Sequence, residues 1–484
     1  MHVRTRFAPS PTGYLHIGGV RTALYAYLFA KKNKGDFILR IEDTDMERFV
    51  EGATEVIYDT MKSTGLYWDE GPDIGGKYGP YVQSERKDIY AKYAKELVDR
   101  GHAYYCFCTK ERLDTLRNEC EEKGETFKYD KKCLSLTKEE IEENLKKGVP
   151  YVIRQKVPEE GQIGFDDMVF GTITVDCNTL DDGVLLKSDG MPTYNFANVV
   201  DDHLMEISHV IRGSEYLSSA PKYNLLYKGF DWEIPKYIHL PPVMKNQTQK
   251  LSKRHGDASY EDLAKKGYLK DAILNYIALL GWSPGNNMEK FTLKEMVEMF
   301  SVEGINKSPA IFDIEKLTWL NAQYIREMSP EEFTEYAKPY YYQVLPVGKY
   351  DLSILARILQ PRVEVFTTIP EQVAFLEKLD DYSLDLFYHK KMKTDSKMSV
   401  PIIDEAIEVI KGIEDYTEQN VHNALFELVG KLGMKNGQVL WPIRVAVSGE
   451  AVSPGGAVEI AALLGKEETL NRLYIAKEKL KNQD

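Results

Sequence analysis

The stretch from Arg6 to Arg21, which reads RFAPSPTGYLHIGGVR, constrains the fold more than any other part of the chain. It has the pattern of a buried strand end, a loop bounded by proline and glycine, and the first turn of a helix that continues through TALYAYLFAKK. A helix that starts directly after a strand forms an anion site, because its free N–H groups and the positive end of its dipole face an incoming ligand. We therefore predict that phosphate binds here.

Three residues at this helix start suit a nucleotide. Gly18 and Gly19 allow a nucleotide to approach the backbone closely. The imidazole of His16 could donate a hydrogen bond where charge develops on phosphate during a reaction. A histidine at a helix start is more often a cap or a packing residue, so this stretch alone leaves both interpretations open.

A second strand is predicted directly after this helix. The run 37–41, which reads FILRI, is short, apolar and β-branched, as in a buried parallel strand. Strand, helix and strand in this order give the start of a right-handed doubly wound domain. The acidic cluster that follows, beginning at Glu42, could bind an amino group or cap the next segment. No phosphate-binding or dinucleotide-binding glycine motif occurs near this strand, which argues against a P-loop NTPase or a dinucleotide enzyme.

Composition narrows the class of protein and its partners. A chain of 484 residues has room for several domains, and 43% hydrophobic with 28% charged residues is typical of globular proteins in water. The apolar runs are too short to span a bilayer, and the first residues lack a signal-peptide core. We predict a cytoplasmic protein without membrane contact. The net charge of -13 opposes indiscriminate binding of nucleic acid, so such a partner requires local basic patches.

The five cysteines do not suggest a secreted disulfide framework, because their number is odd and two of them form a tight Cys-x-Cys pair. Cys106, Cys108 and Cys133 could supply three soft ligands to a metal. They could equally be three buried reduced thiols without a metal. Cys120 and Cys177 fit no ligand spacing.

A second motif lies far downstream, at 250–254, where KLSKR places two lysines three residues apart. Such a run is by itself more often a solvated face. Together with HIGG at 16–19, it resembles the paired signatures of class I aminoacyl-tRNA synthetases, in the variants of the glutamyl enzymes. Further segments resemble that family in the family's order, so the resemblance covers nearly the whole chain: RFAPSPTG, RIEDTD, QSERKDIY, DGMPTYNFANVVDDH, VIRGSEY and FDIEKLTWLN.

The resemblance implies an α/β fold with a Rossmann-like doubly wound catalytic domain, an α+β insertion and all-helical C-terminal domains. The expected domains are a first catalytic half at 1–100, an insertion at 101–190 that grips the acceptor end of tRNA, a second catalytic half at 191–256, a helical junction at 257–325 and a helical anticodon-binding region at 326–484.

The resemblance also implies a reaction. Glutamate and ATP would form glutamyl adenylate, glutamate would then pass to the 3′ end of tRNA-Glu, and Mg²⁺ would share the charge of the phosphates. The expected catalytic residues are His16, Lys250 and Lys253. The expected ATP-binding residues are His16, Gly18, Gly19, Glu215, Lys250, Ser252 and Lys253. The expected glutamate-binding residues are Arg6, Ala8, Ser10, Glu42, Tyr194, Asn198 and Arg212.

The charges of the last set suit glutamate. Arg6 and Arg212 would face its two carboxylates, and Glu42 would meet its ammonium group. Glutamine lacks the second charge and would leave an arginine unpaired, which gives strong discrimination. Arg212, at the end of a predicted strand at 208–211, could instead form a structural ion pair with a nearby acid.

The cysteine spacing matches the Zn²⁺ site of some glutamyl enzymes. The resemblance implies Cys106, Cys108 and Cys133 as ligands and Tyr129 as the fourth, as in the related glutamyl-queuosine enzymes. Ser135 stands where one pattern of the family carries histidine.

Several alternatives remain open. The enzyme could also charge tRNA-Gln with glutamate, or it could be a tRNA-modifying enzyme of the glutamyl-queuosine type, although those enzymes lack an anticodon-binding tail. A non-catalytic RNA-binding paralogue is disfavoured by the intact His16, Lys250 and Lys253. The resemblance favours a monomer.

Overall fold

The computed structural model describes residues 2–45, 50–251 and 259–482. The chain forms two compact units. The first unit contains Met1–Ala264 and Ile273–Ile314, and the second contains Lys265–Ala272 and Glu315–Asp484. In the described part of the chain, no helix is both long and apolar enough to cross a membrane.

The strands all lie in the first unit. In chain order they are β1 (Arg4–Phe7), β2 (Asp36–Leu39), β3 (Ala103–Cys106), β4 (Val152–Gln155), β5 (Gln162–Asp167), β6 (Gly171–Asp176), β7 (Val184–Leu186), β8 (His209–Gly213), β9 (Lys236–Leu240), β10 (Val243–Met244) and β11 (Ala310–Ile311).

The helices are distributed over both units. In chain order they are α1 (Ile17–Lys32), α2 (Ala53–Thr64), α3 (Lys87–Asp99), α4 (Lys110–Glu122), α5 (Lys138–Lys146), α6 (Tyr194–Leu204), α7 (Ala220–Gly229), α8 (Tyr260–Lys265), α9 (Lys270–Leu279), α10 (Leu293–Met299), α11 (Ile314–Arg326), α12 (Pro330–Tyr341), α13 (Leu352–Leu359), α14 (Ile369–Val373), α15 (Ser396–Lys411), α16 (Glu418–Leu432), α17 (Asn436–Ser448) and α18 (Ala457–Lys481).

Parallel strand pairs form the centre of the first unit. β1 pairs with β2, and β8 pairs with β9, both in parallel. The amide of Ser208 donates to the Arg4 carbonyl at 3.0 Å, which ties the start of β8 to β1. Helix α1 packs on β1 and β2 through residues that are almost completely buried, such as Val20 and Leu24. This strand–helix–strand start confirms the predicted doubly wound domain.

The sheet continues into the stretch that was expected to be an insertion. β5 pairs in parallel with β9 and antiparallel with β6, which gives the strand order β6-β5-β9-β8. Along β5, Ile163 and Phe165 are buried and alternate with exposed residues, so one face of the strand packs inward. The sequence analysis did not assign β5.

The rest of the predicted insertion holds a separate antiparallel sheet in the order β3-β4-β7. Helices α4 and α5 lie beside it and bury none of their residues. Helix α5 begins with a capping box, in which Thr137 and Glu140 each bind the backbone N–H of the other. This capping compensates for the lack of a buried face.

The second unit is helical. Its core contains buried aliphatic side chains from α12 to α18, with Leu359, Ile403, Leu425, Ile443 and Leu473 among them. The predicted helical C-terminal part is therefore confirmed.

Candidate active site

His16 caps helix α1 and also contacts the second motif. Its Nδ1 accepts a hydrogen bond from the Gly18 amide at 3.0 Å, and its Nε2 lies 2.9 Å from the carbonyl oxygen of Leu251. Because Nδ1 accepts, Nε2 must carry the proton and donate it to that carbonyl. His16 is therefore a neutral imidazole that joins HIGG to the second residue of KLSKR.

A short hairpin brings Lys250 to this place. The amide of Leu251 donates to the Val243 carbonyl at 3.2 Å, and Met244 pairs with Lys250. Leu251 is buried and holds the hairpin in place, while Lys250 is exposed. The structure thus brings the two motifs together across 235 positions of sequence. Ser252 and Lys253 lie outside the described residues.

The two glycines at the start of α1 differ in their surroundings. The Gly18 amide donates to His16 Nδ1 and the Gly19 amide to the His16 carbonyl, so neither amide is left for phosphate. A side chain at Gly18 would meet His16 at 3.3 Å, but one at Gly19 would meet nothing within 4 Å. A ligand can therefore approach the backbone closely at Gly19, but the Gly19 amide is not free to donate a hydrogen bond to it.

Arg6 and Glu42 belong to a buried ion-pair network. Arg6 donates to Asp202 at 3.0 Å, and Arg40 donates to Glu42 at 2.9 Å and to Asp202 at 2.8 Å. Burial raises the pKa of Glu42 above its ordinary value, against the effect of Arg40 and Arg6. For Asp202, burial is outweighed by Arg6 and Arg40, which lower its pKa.

The network continues on its other side around Asp201, whose carboxylate accepts from Arg86 at 2.7 Å and from Gln83 at 2.9 Å. Gln83 also reaches Glu42, at 3.4 Å. Because Arg6 and Glu42 already have partners in this network, contacts with glutamate would be additional. The roles of both residues in binding glutamate stay predictions.

Arg212 is a buried cation that keeps one unpartnered polar atom. It is 5% exposed, and its Nη2 atom has no hydrogen-bond partner. Within the described part of the chain, no carboxylate forms an ion pair with it, which disfavours the structural ion pair considered above. A buried cation without a counter-ion is costly, so this position favours an anionic ligand.

Two residues that the sequence analysis missed lie beside Arg212. Its Nε donates to His239 Nε2 at 3.1 Å, and His239 Nδ1 lies 2.7 Å from Asp167 Oδ2. Burial lowers the pKa of His239, and Arg212 acts in the same direction, although Asp167 opposes them. A histidine within the buried stretch YIHL at 237–240 was the one signal in the sequence for His239.

Helix α6 adds Tyr194 and Asn198 to this cleft. The Tyr194 ring lies 5.5 Å from that of Tyr216, and Asn198 donates to the Tyr194 carbonyl at 2.8 Å. Burial raises the pKa of Tyr194; nearby Glu42 raises it further and Arg212 lowers it. Tyr194 is thus close to both the carboxylate and the guanidinium that were predicted to bind glutamate.

The remaining predicted residues lie at the edges of the cleft. Ala8 is half-buried and Ser10 is exposed in the loop between β1 and α1. This loop contacts the end of β2, since the Glu42 amide donates to the Pro9 carbonyl at 3.0 Å. Glu215, in the turn after β8, is exposed and lies over Gly213.

A second cluster lies on the sheet β3-β4-β7, where Cys106, Cys108 and Cys133 bring three sulfurs within 4.8 Å of one another. The Tyr129 hydroxyl is 3.3 Å from the sulfurs of Cys106 and Cys108, and those of Cys108 and Cys133 are 3.5 Å apart. A tetrahedral zinc with Zn–S bonds of 2.3 Å needs sulfurs about 3.8 Å apart. The four side chains therefore fit the predicted site.

The hydrogen bonds of this cluster favour one thiolate. Hydrogen bonding with Cys133 and Tyr129, against the effect of burial, lowers the pKa of Cys106 to about 4, while the hydrogen bond to Cys106 and burial raise the pKa of Cys133. The thiolate is the form that binds metal. The guanidinium of Arg154 lies 4.0 Å from the centre of the Tyr129 ring. Cys120 and Cys177 lie outside the group.

A separate groove lies in the second unit. It has a volume of about 630 Å³ and is lined by Arg362, Tyr388, Trp441 and Arg444. The Arg444 guanidinium carbon is 4.2 Å from the centre of the Trp441 ring, and Tyr388 is 66% exposed. Trp441 is half-buried, so the exposed Tyr388 ring beside these arginines is the one that suits the stacking of an unpaired nucleic-acid base.

Comparison with known families gives two matches along the chain. Residues 2–319 match the family described as tRNA synthetases class I (E and Q), catalytic domain. Residues 332–477 match the family described as anticodon binding domain.

Individual proteins are similar over the full length. The glutamate–tRNA ligase of Clostridium tetani is 60% identical over 99% of this chain and 98% of the relative, and that of Clostridium novyi is 58% identical with the same coverage. A crystal structure of a glutamate tRNA ligase from Elizabethkingia meningosepticum, in complex with its amino acid, superimposes with a TM-score of 0.90 at 37% identity. It covers 99% of this chain and 100% of that chain.

Proposed function

The chain belongs to the class I tRNA synthetases for glutamate and glutamine, and we propose that it joins L-glutamate to tRNA-Glu in an ATP-dependent reaction. Glutamate and ATP form glutamyl adenylate and diphosphate, and transfer of glutamate to the tRNA releases AMP. The observation that carries the choice of amino acid is the buried Arg212, which forms no ion pair with a carboxylate among the described residues.

Arg212 binds a carboxylate of glutamate in this proposal. A carboxylate can use two N–H groups of a guanidinium at once, and among the described residues only Nε of Arg212 has a hydrogen-bond acceptor. Glutamine presents an amide at the same place and would leave the arginine charge unpaired. We propose that Tyr194, Asn198, Arg6, Ala8, Ser10 and Glu42 form the rest of the glutamate site.

The nucleotide lies at the start of α1 in this proposal. Gly19 supports this position of the nucleotide, because the space over its Cα is open. His16 and Lys250 lie at the same place through the contact with Leu251. Both chemical steps redistribute charge on phosphate, so positioned cations and N–H donors carry the catalysis. Mg²⁺ bound to the phosphates would neutralise part of that charge. Gly18, Glu215, Ser252 and Lys253 complete the proposed ATP-binding set.

Zn²⁺ is the metal that we propose for the thiol cluster, with Cys106, Cys108, Cys133 and Tyr129 as its ligands. The cluster links strand β3 to the segment before α5, so a metal there would fix the fold of this part of the chain. The proposed role of this Zn²⁺ is structural, since the metal would not contact the atoms that react.

The tRNA is bound through two regions in this proposal. The region 101–190 meets the acceptor end, and the groove around Trp441 meets unpaired anticodon bases. We further propose that the enzyme acts in the cytoplasm, as a monomer. An enzyme of the discriminating type charges tRNA-Glu alone, and one of the non-discriminating type also charges tRNA-Gln with glutamate.

Charging of purified tRNA tests the proposal. Radiolabelled glutamate should become acid-precipitable with tRNA-Glu and ATP, and labelled glutamine should not. Absence of glutamyl-tRNA, or equal charging with glutamine, would refute the proposed function. The same assay with tRNA-Gln decides between the two types.

A further inference from the structure

We infer that His239 is a positioning residue for glutamate: its neutral imidazole holds the Arg212 guanidinium in the orientation that receives the substrate carboxylate. The two residues are direct neighbours across the parallel strands β8 and β9. The inference rests on the proposed function and explains how that site keeps its arginine ready for glutamate.

The contact fixes the rotation of the guanidinium. A guanidinium presents five N–H donors in one rigid plane, so holding one of them sets the direction of the others. His239 Nε2 accepts from Arg212 Nε at 3.1 Å. The terminal amino groups, including the unpartnered Nη2, are then left for a ligand.

Asp167 fixes the tautomer of His239. Its Oδ1 accepts from the amides of Val169 and Phe170 at 2.9 and 2.8 Å, and its Oδ2 accepts from the His239 amide at 3.1 Å. The same Oδ2 lies 2.7 Å from His239 Nδ1 and accepts a hydrogen bond from the N–H at that position. The lone pair of Nε2 must therefore face Arg212.

The order of these three residues has a functional consequence. A carboxylate in direct contact with Arg212 would neutralise it and compete with the substrate. A neutral imidazole between them holds the arginine without cancelling its charge. Three tyrosine rings complete the enclosure, with centres 5.2, 4.7 and 5.4 Å from the guanidinium carbon: Tyr216, Tyr223 and Tyr237.

Two substitutions of His239 test its hydrogen bonds to Arg212 and to Asp167 separately. In His239→Gln, the side-chain oxygen can reach the Nε2 position and accept from Arg212. In His239→Asn, the shorter amide reaches the Nδ1 position, so it satisfies Asp167 and leaves Arg212 without its acceptor. His209→Asn is the matched control, since His209 is a buried histidine of β8 that binds Ser208 and not Arg212.

The Michaelis constant for glutamate is measured by ATP–pyrophosphate exchange with saturating ATP and tRNA-Glu, alongside thermal melting. We expect His239→Asn to raise the KM for glutamate about tenfold to a hundredfold, because a hydrogen bond to a charged group is lost. His239→Gln should raise it about threefold. The KM for ATP should change little in either variant, and His209→Asn should change only the melting temperature.

An unchanged KM for glutamate in a folded His239→Asn variant, or equal effects of Asn and Gln, would overturn the inference. If the Asn variant does not fold, the Gln variant decides alone: a rise beyond tenfold overturns the inference, and a rise near threefold supports it. Wild-type enzyme that shows no exchange with glutamate would refute the proposed function itself. If the wild-type enzyme shows normal exchange but the KM for glutamate does not rise more in His239→Asn than in His239→Gln, this inference alone would be refuted.

Discussion

Arg212 combines burial, positive charge and the lack of a counter-ion among the described residues. Its surroundings compensate for the charge only in part, through tyrosine rings and one neutral histidine. At the scale of single residues, this is the position where removal of a side chain should separate ligand binding from folding.

We predict that Arg212→Ala weakens glutamate binding by roughly 2 to 5 kcal/mol, because a charged pair is lost from a partly dehydrated site. Calorimetric titration with a non-hydrolysable glutamyl-adenylate analogue measures the loss. The melting temperature should not fall much, since the free protein loses an unpaired buried charge. Unchanged affinity with a large drop in melting temperature would assign Arg212 a structural role instead.

Gly19 tests the nucleotide end of the cleft. We predict that Gly19→Ala raises the KM for ATP at least tenfold, because the new methyl group would enter the space over the helix start. The melting temperature should be unchanged or slightly higher, since alanine stabilises helices relative to glycine by roughly 0.5–1 kcal/mol.

Gly430→Ala is the matched control for this substitution, because Gly430 is also helical and also has open space around it. It should leave the KM for ATP unchanged. If Gly19→Ala behaves in the same way, the nucleotide does not approach α1 at this glycine.

The sequence predicted the residues with local motifs and missed those defined by strand register. His16 and Lys250 belong to short motifs, and the structure brings them together. Asp167 and His239 are 72 positions apart and meet because β5 and β9 pair. Pairing between distant strands depends on tertiary packing, which a single sequence does not display.

At the scale of secondary structure, the pairing of β5 could not be predicted from the sequence, whereas the thiol cluster could. The alternation in β5 is visible in the sequence, but its pairing with β9 places part of the expected insertion in the central sheet. The cysteine spacing, in contrast, is local enough to predict the cluster. Tyr129 was inferred as a ligand from the family resemblance; its hydroxyl lies 3.3 Å from two of the sulfurs, and its role as a ligand stays a prediction.

We predict that protein purified without chelators carries about one equivalent of zinc. Cys133→Ser should lose the metal and weaken tRNA binding more than ATP binding. Cys177→Ser, at a buried cysteine outside the cluster, should keep the metal. Metal analysis by mass spectrometry decides the question, and wild-type protein without zinc would contradict the proposal.

At the scale of the whole molecule, a chain with a net charge of -13 must bind a polyanion through local contacts. The groove around Trp441 supplies one such contact in the second unit. We predict that Tyr388→Ala, at the exposed ring of this groove, raises the KM for tRNA-Glu about tenfold, because stacking on one base contributes roughly 1–3 kcal/mol.

Trp319→Ala removes an exposed tryptophan of the same unit that lies outside the groove, and it is the control. It should leave the KM for tRNA-Glu unchanged. Equal effects of the two substitutions would show that the groove around Trp441 does not contact tRNA.

The central claim is that this chain activates glutamate for attachment to tRNA, and ATP–pyrophosphate exchange tests it most directly. We predict that label passes from pyrophosphate into ATP with glutamate and tRNA-Glu present, and that omission of either one, or replacement of glutamate by glutamine, abolishes it. Full exchange without tRNA would favour the tRNA-modifying alternative. No exchange under any of these conditions would contradict the account.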